Sequence, residues 1–138
     1  MIAAGLRWTW AVAVLAVSTA FAPAGEPKLG WKPANTWMFA VGILEWADAE
    51  QWPPFPDIKK GRADQRLVDF FKAQGVPADR VVYLCDKQAT RKRVREKFAA
   101  TLAKVGPDDL LVFYFAGHGH FDPEAMRYYF VTYDARKE

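Results

Sequence analysis

The chain has little from which a cross-linked or metal-clustered protein is built: one cysteine, Cys85, and two histidines in 138 residues. A single thiol excludes an internal disulfide and any zinc site of the paired-cysteine type, so the fold rests on packing. The basic residues are spread through the chain and interleaved with acids, for a formal charge of +3. That pattern gives no footprint for nucleic acid. There is no internal repeat and no low-complexity tract. With 51% hydrophobic and 15% aromatic residues, the chain is far from the composition of disorder and can bury one modest core.

Residues 1–24 hold Arg7, then the apolar run Trp8 to Val17, then small residues ending Ala22-Pro23-Ala24. A positive start, a short apolar core and an Ala-x-Ala ending predict a signal peptide that exports the chain and is removed. The apolar core falls short of the roughly 20 residues needed to span a bilayer, so no stable membrane span is expected after cleavage. The alternative is an uncleaved anchor over Trp8 to Ala22, since Ser18 to Phe21 can extend the run. Residues 25–35, with Pro27, Gly30 and Pro33, read as a linker, and residues 36–138 as one domain.

Within that domain the strand-length run Trp37 to Leu44 predicts a buried, parallel strand, and Gly42 inside it signals a close backbone approach. The proline-rich stretch from Glu45 to Gly61, with Trp46, Trp52 and Phe55, predicts a loop. Lying after the first strand, its aromatics either line a peptide groove or fold back as a hydrophobic lid. Arg62 to Gln74 predicts a helix, with Leu67, Phe70 and Phe71 at helical spacing, Gly75 at its end and Pro77 just beyond. Arg80 to Cys85 is a second strand. Thr90 is the expected N-cap of a second helix whose apolar face is Val94, Phe98, Leu102 and Val105, stopping at Gly106-Pro107. The basic cluster at its start, Arg91 to Lys97, opposes the helix dipole and reads as a solvated face.

Asp108-Asp109 then leads into Leu110 to Phe115, a buried third strand that ends on Ala116-Gly117-His118-Gly119. Tyr128 to Thr132 is expected as a fourth strand. Strand and helix thus alternate, which predicts an α/β fold with right-handed crossovers and a largely parallel sheet covered on both faces. The expectation for His118 is the carboxyl end of a central strand, near the end of the first strand, with the Glu45 to Gly61 loop beside it. Glycines on either side let the backbone bend and another chain approach the imidazole.

Phe115-Ala116-Gly117-His118-Gly119 resembles the Tyr/Phe-Ser/Ala-Gly-His-Gly motif of the caspase-like cysteine peptidases, the group of caspases and metacaspases. Phe39 to Ile43, the helix containing Asp64, Gln88-Ala89-Thr90, Asp108-Asp109 and Tyr129 to Ala135 supply further landmarks in order, so the resemblance covers about Trp37 to Ala135. It implies a three-layer caspase-like fold, incomplete at the C-terminus, and a cysteine endopeptidase acting on a polypeptide substrate without a cofactor. His118 would be the catalytic base and the Gly119 N–H an oxyanion donor. Asp64 would be substrate-binding, as metacaspases use an Asp at this site for basic residues; helix-start charge complementarity explains it equally.

The sequence departs from the family in lacking the nucleophile, which lies about 50 residues beyond the histidine. Cys85 precedes the histidine without the family's motif and reads as a strand-end thiol. The expectation is a chain that continues past Glu138 and supplies a further helix and an apolar strand ending in the cysteine motif, the present residues being inactive alone. Two other classes compete. One is a non-catalytic caspase-like scaffold or partner-binding module. The other is a zinc hydrolase using His118, His120 and Asp122, whose His-x-His-x-Asp spacing resembles that of metallo-β-lactamase-like enzymes.

Overall fold

The computed structural model describes residues 30–56 and 61–136. The chain divides into two units, Met1–Gly30 and Trp31–Glu138, and the second is described here; the expected signal peptide lies outside the described residues. Trp31 leads in, donating its indole N–H to Thr36 Oγ1 at 2.8 Å, and a 3-10 turn at Pro33–Asn35 precedes the first strand.

That strand, β1 (Thr36–Gly42), is buried at every position. It must be, because it is the middle of a three-stranded parallel sheet. β2 (Val81–Cys85) pairs with it on one side and β3 (Leu110–Ala116) on the other, with Gly42 in register with both Cys85 and Ala116. A continuous apolar run is what a parallel strand covered on both faces requires.

The period of two along β1 sorts its side chains between two layers. Met38 and Ala40 meet Val68, Leu67 and Phe71 of α1 (Ala63–Ala73) on one face. Phe39, Val41 and Ile43 meet Val94 and Phe98 of α2 (Arg91–Leu102) on the other. Phe39 stands edge-on to Phe98 with ring centroids 5.0 Å apart. Each large apolar side chain withdrawn from water in this way stabilises the fold by roughly 1.5–3 kcal/mol. The molecule is therefore mixed α/β, with a small parallel sheet between two helices.

Several boundaries and one strand differ from the sequence reading. In α1 the inward residue is Val68, and Phe70 is half exposed, because the buried stripe runs through Leu67, Val68 and Phe71. Helix α2 begins as expected, with Thr90 Oγ1 accepting the Arg93 N–H at 3.3 Å, but ends at Leu102, four residues before Gly106. The expected fourth strand does not join the sheet. Instead β5 (Arg127–Phe130) folds back antiparallel on β4 (Gly119–Asp122) as a separate hairpin. Consequently β1, not the histidine strand, is the central strand among the described residues.

The last described residues close the carboxyl end of the sheet. Tyr133 N–H donates to Ala89 O at 3.1 Å and Ala47 N–H to Tyr133 O at 3.0 Å. The Asp134 carboxylate accepts the Arg91 N–H at 2.8 Å. A negative charge at the first turn of α2 opposes the repulsion of its basic start from the helix dipole.

Candidate functional site

Strand β3 is anchored at its amino end by Asp109. That carboxylate accepts from Trp37 Nε1 at 3.0 Å, from the Gly106 N–H at 3.0 Å and from Arg80 at 2.9 Å. These donors, the Gly106 N–H foremost, hold its carboxyl below the usual carboxylate range. Fixing this end sets the register that delivers His118 at the other.

Two residues past Ala116, His118 stands at the carboxyl edge of the sheet beside the exit of β1. Gly117 makes the turn possible in a specific way: a Cβ there would press on the Phe115 ring and on the Ile43 carbonyl. The residues from Glu45 to Pro56 form a cap around the imidazole. Its ring centroid lies 4.3 Å from that of Trp46, 4.8 Å from Phe55 and 5.9 Å from Trp52. Trp46 is itself tethered, its indole N–H donating to Val131 O at 3.3 Å. Of the two readings of the loop aromatics, folding back onto the protein describes Trp46 and Trp52, which are buried.

His118 Nε2 lies 2.9 Å from the Pro53 carbonyl oxygen. A carbonyl only accepts, so Nε2 carries the proton, and in the neutral ring Nδ1 is left with the free lone pair. A backbone acceptor that fixes the tautomer and aims the ring is the third member that an acid–base histidine needs. Pro53 was not singled out from the sequence. A backbone carbonyl contributes no side-chain signal, and only the proline-rich spacing of the loop hinted at a fixed shape.

Gly119, the first residue of β4, has room around it: a Cβ would meet only Tyr129 O, at 3.9 Å. Val131 N–H donates to His118 O at 3.0 Å, which makes Gly119–Phe130 a non-hydrogen-bonded pair of the antiparallel ladder. The Gly119 N–H therefore points away from β5.

Asp64 is elsewhere. Its carboxylate lies buried under Gly42, where a Cβ would overlap it, so the close approach signalled by Gly42 is made by this side chain. Arg62 donates to it at 2.8 Å and Tyr83 Oη at 2.7 Å. Burial alone would push the Asp64 carboxyl up, but these two hydrogen bonds and the guanidinium charge outweigh it and hold it low. Burial, and then the bond to Asp64, push the Tyr83 phenol up. Arg62 also reaches Gly42 O at 2.9 Å and Asp86 at 2.6 Å. Asp86, at φ +41°, accepts the Leu44 N–H at 2.9 Å with its other oxygen. The network thus ties α1 and β2 to the point where β1 turns into the cap over His118. Sequence reading found Asp64 but not Arg62, Tyr83 and Asp86, whose partners are 2, 19 and 24 residues apart along the chain.

Cys85 ends β2 and His118 follows β3, with β1 between them. Two inter-strand spacings separate these columns by about 10 Å, far beyond hydrogen-bond reach. Nor do the two histidines and Asp122 converge. His120 lies opposite Tyr129 in the hairpin, and Asp122 Oδ1 accepts the N–H groups of Glu124 and Ala125 at 2.9 and 3.0 Å. No three His, Cys, Asp or Glu side chains gather to hold a metal among the described residues. No helix of the described residues is long and apolar enough to cross a membrane. No protein-family model, curated protein or solved structure matches the chain.

Proposed function

We propose that this chain is the histidine-bearing part of an exported cysteine endopeptidase of the caspase-like type, acting on polypeptides. His118 is its base and Gly119 an oxyanion donor. The observation that carries the reading is the bond from His118 Nε2–H to Pro53 O. It leaves Nδ1 to take a proton from a thiol, at a strand end where the adjacent Gly119 N–H is turned away from its hairpin partner. A thiolate so formed attacks the scissile carbonyl; the imidazolium then returns the proton to the leaving amine. The aromatic cap holds the ring against rotation.

The nucleophile belongs to polypeptide beyond Glu138. The reading leaves Cys85 as a strand-end thiol, which is in keeping with β1 lying between its strand and that of His118. Asp64 would serve substrate recognition only if Arg62 were displaced from it; in its present engagement it is a structural acid.

A second reading, a non-catalytic binding module, is favoured by the same separation of Cys85 from His118. The experiment that separates the two is a peptide-cleavage assay on the natural polypeptide read past Glu138, with and without His118→Ala. The peptidase reading expects thiol-dependent cleavage that His118→Ala abolishes. Cleavage that survives this substitution removes His118 from the chemistry.

A further inference from the structure

β1 and β2 end together at Gly42 and Cys85, which are in register. A side chain then takes over from the backbone. Asp86 Oδ1 accepts the Leu44 N–H at 2.9 Å and the Glu45 N–H at 3.4 Å. Its other oxygen is fixed by Arg62 Nη1 at 2.6 Å, and the same guanidinium holds Gly42 O at 2.9 Å. The backbone of Asp86 itself lies in the left-handed region, at φ +41°, a conformation that strains a residue with a Cβ and persists where surrounding contacts require it.

Leu44 hands this restraint on to the cap. While its N–H goes to Asp86, its C=O accepts the Phe55 N–H at 3.0 Å, so a single residue links the carboxylate to the far end of the loop. Phe55 is one of the rings lying against His118, at 4.8 Å between centroids. Two residues before it, Pro53 O accepts from His118 Nε2 at 2.9 Å. The chain between has little freedom: the rings of Pro53, Pro54 and Pro56 fix φ at their positions, and a following proline keeps Pro53 and Phe55 out of the helical region. A shift of Phe55 therefore carries Pro53 O with it.

We propose that Asp86 is a positioning residue for His118: through Leu44 and the Pro53–Phe55 segment it sets the tautomer of the imidazole, and with it the lone pair left on Nδ1. Asp86 follows β2 and His118 follows β3, with β1 between them, so the carboxylate touches no reacting atom and acts through the cap. It fixes the acceptor, and the acceptor fixes the proton. The inference rests on the peptidase reading only for the use made of Nδ1.

Nitrogen-15 NMR of the imidazoles in the purified chain, at about pH 9 where an ordinary histidine is neutral, tests it without a cleavage assay. The chain has two histidines, and His120→Gln assigns the pair. In the parent protein His118 is expected as the Nε2–H form. Asp86→Gly removes the carboxylate yet accepts a positive φ, and should raise the Nδ1–H population about fivefold, the equilibrium worth of one ordinary hydrogen bond. Asp86→Asn keeps an acceptor for Leu44 and tolerates the same φ; it should hold the parent tautomer. Near-ultraviolet circular dichroism checks that each variant is folded. If Asp86→Gly does not fold, Arg62→Lys decides, because a lysine keeps the charge but cannot serve Asp64, Asp86 and Gly42 O together, and a rise of the same sign is expected. A folded Asp86→Gly, or Arg62→Lys in its place, that keeps the parent tautomer overturns the proposal. So does an Asp86→Asn variant that shifts as far as Asp86→Gly. Tautomer and cleavage are read separately, so this inference and the peptidase reading fail by different measurements.

Discussion

At the residue scale, two positions concentrate the energetics of the site's foundation. Gly42 is the only residue type that fits beneath the Asp64 carboxylate, and Gly42→Ala forces backbone and carboxylate apart. Overpacking of this kind costs about 1–3 kcal/mol, so the urea midpoint should fall with an unchanged slope. Asp64→Asn breaks an ion pair whose acid is buried while Arg62 keeps partial solvent contact. The loss should be about 3 kcal/mol, the low end for uncoupling a buried pair. The sign of the pH effect follows from the same contacts. The Asp64 carboxyl is lower in the folded than in the unfolded chain. Its contribution is therefore complete above the unfolded value, about 3.9, and drains away as pH falls from there through the folded value. Stability measured between neutral and strongly acidic pH should drop below pH about 4, and Asp64→Asn should flatten that drop.

At the element scale, the parts of the fold legible in the sequence were those whose signal is local. β1 and β3 declared themselves as continuous apolar runs, although β3 is a partly exposed outer strand of the three-stranded sheet and not the buried strand expected, and Thr90 marked the start of α2 by the chemistry of a cap. Thr90→Ala should accordingly cost about 1 kcal/mol, read as a lowered thermal midpoint. Of the hairpin only β5 was legible, within the expected strand Tyr128 to Thr132, because Gly119-His120-Phe121-Asp122 carries neither strand alternation nor β-branched residues. Pairing with Arg127–Phe130, not propensity, makes it a strand. The same holds for the site. His118 stands out between its glycines, whereas the Pro53 carbonyl that sets its tautomer and the Arg62–Tyr83–Asp86 network under the cap are brought together by tertiary structure alone. Val68 is buried in α1 and Phe70 is half exposed, a choice between neighbours of the stripe that periodicity leaves open.

At the scale of the whole molecule, the parallel sheet fixes which groups can cooperate. All three strands point their carboxyl ends to one edge, where the turn after β1, the cap from Glu45 to Pro56 and His118 meet. β1 separates Cys85 from that histidine by a full strand. On the proposed peptidase reading Cys85 is not the thiol that His118 serves, because β1 stands between β2 and β3. The most direct measurement is covalent labelling of the natural polypeptide, read past Glu138, with a peptidyl thiol-directed electrophile, the adduct being located by mass spectrometry. The account predicts one labelled cysteine beyond Glu138, with labelling lost in His118→Ala and the 138-residue chain left unmodified and without proteolytic activity. A peptide-dependent adduct on Cys85, or thiol-dependent cleavage by the 138-residue chain that disappears in Cys85→Ala, would contradict it.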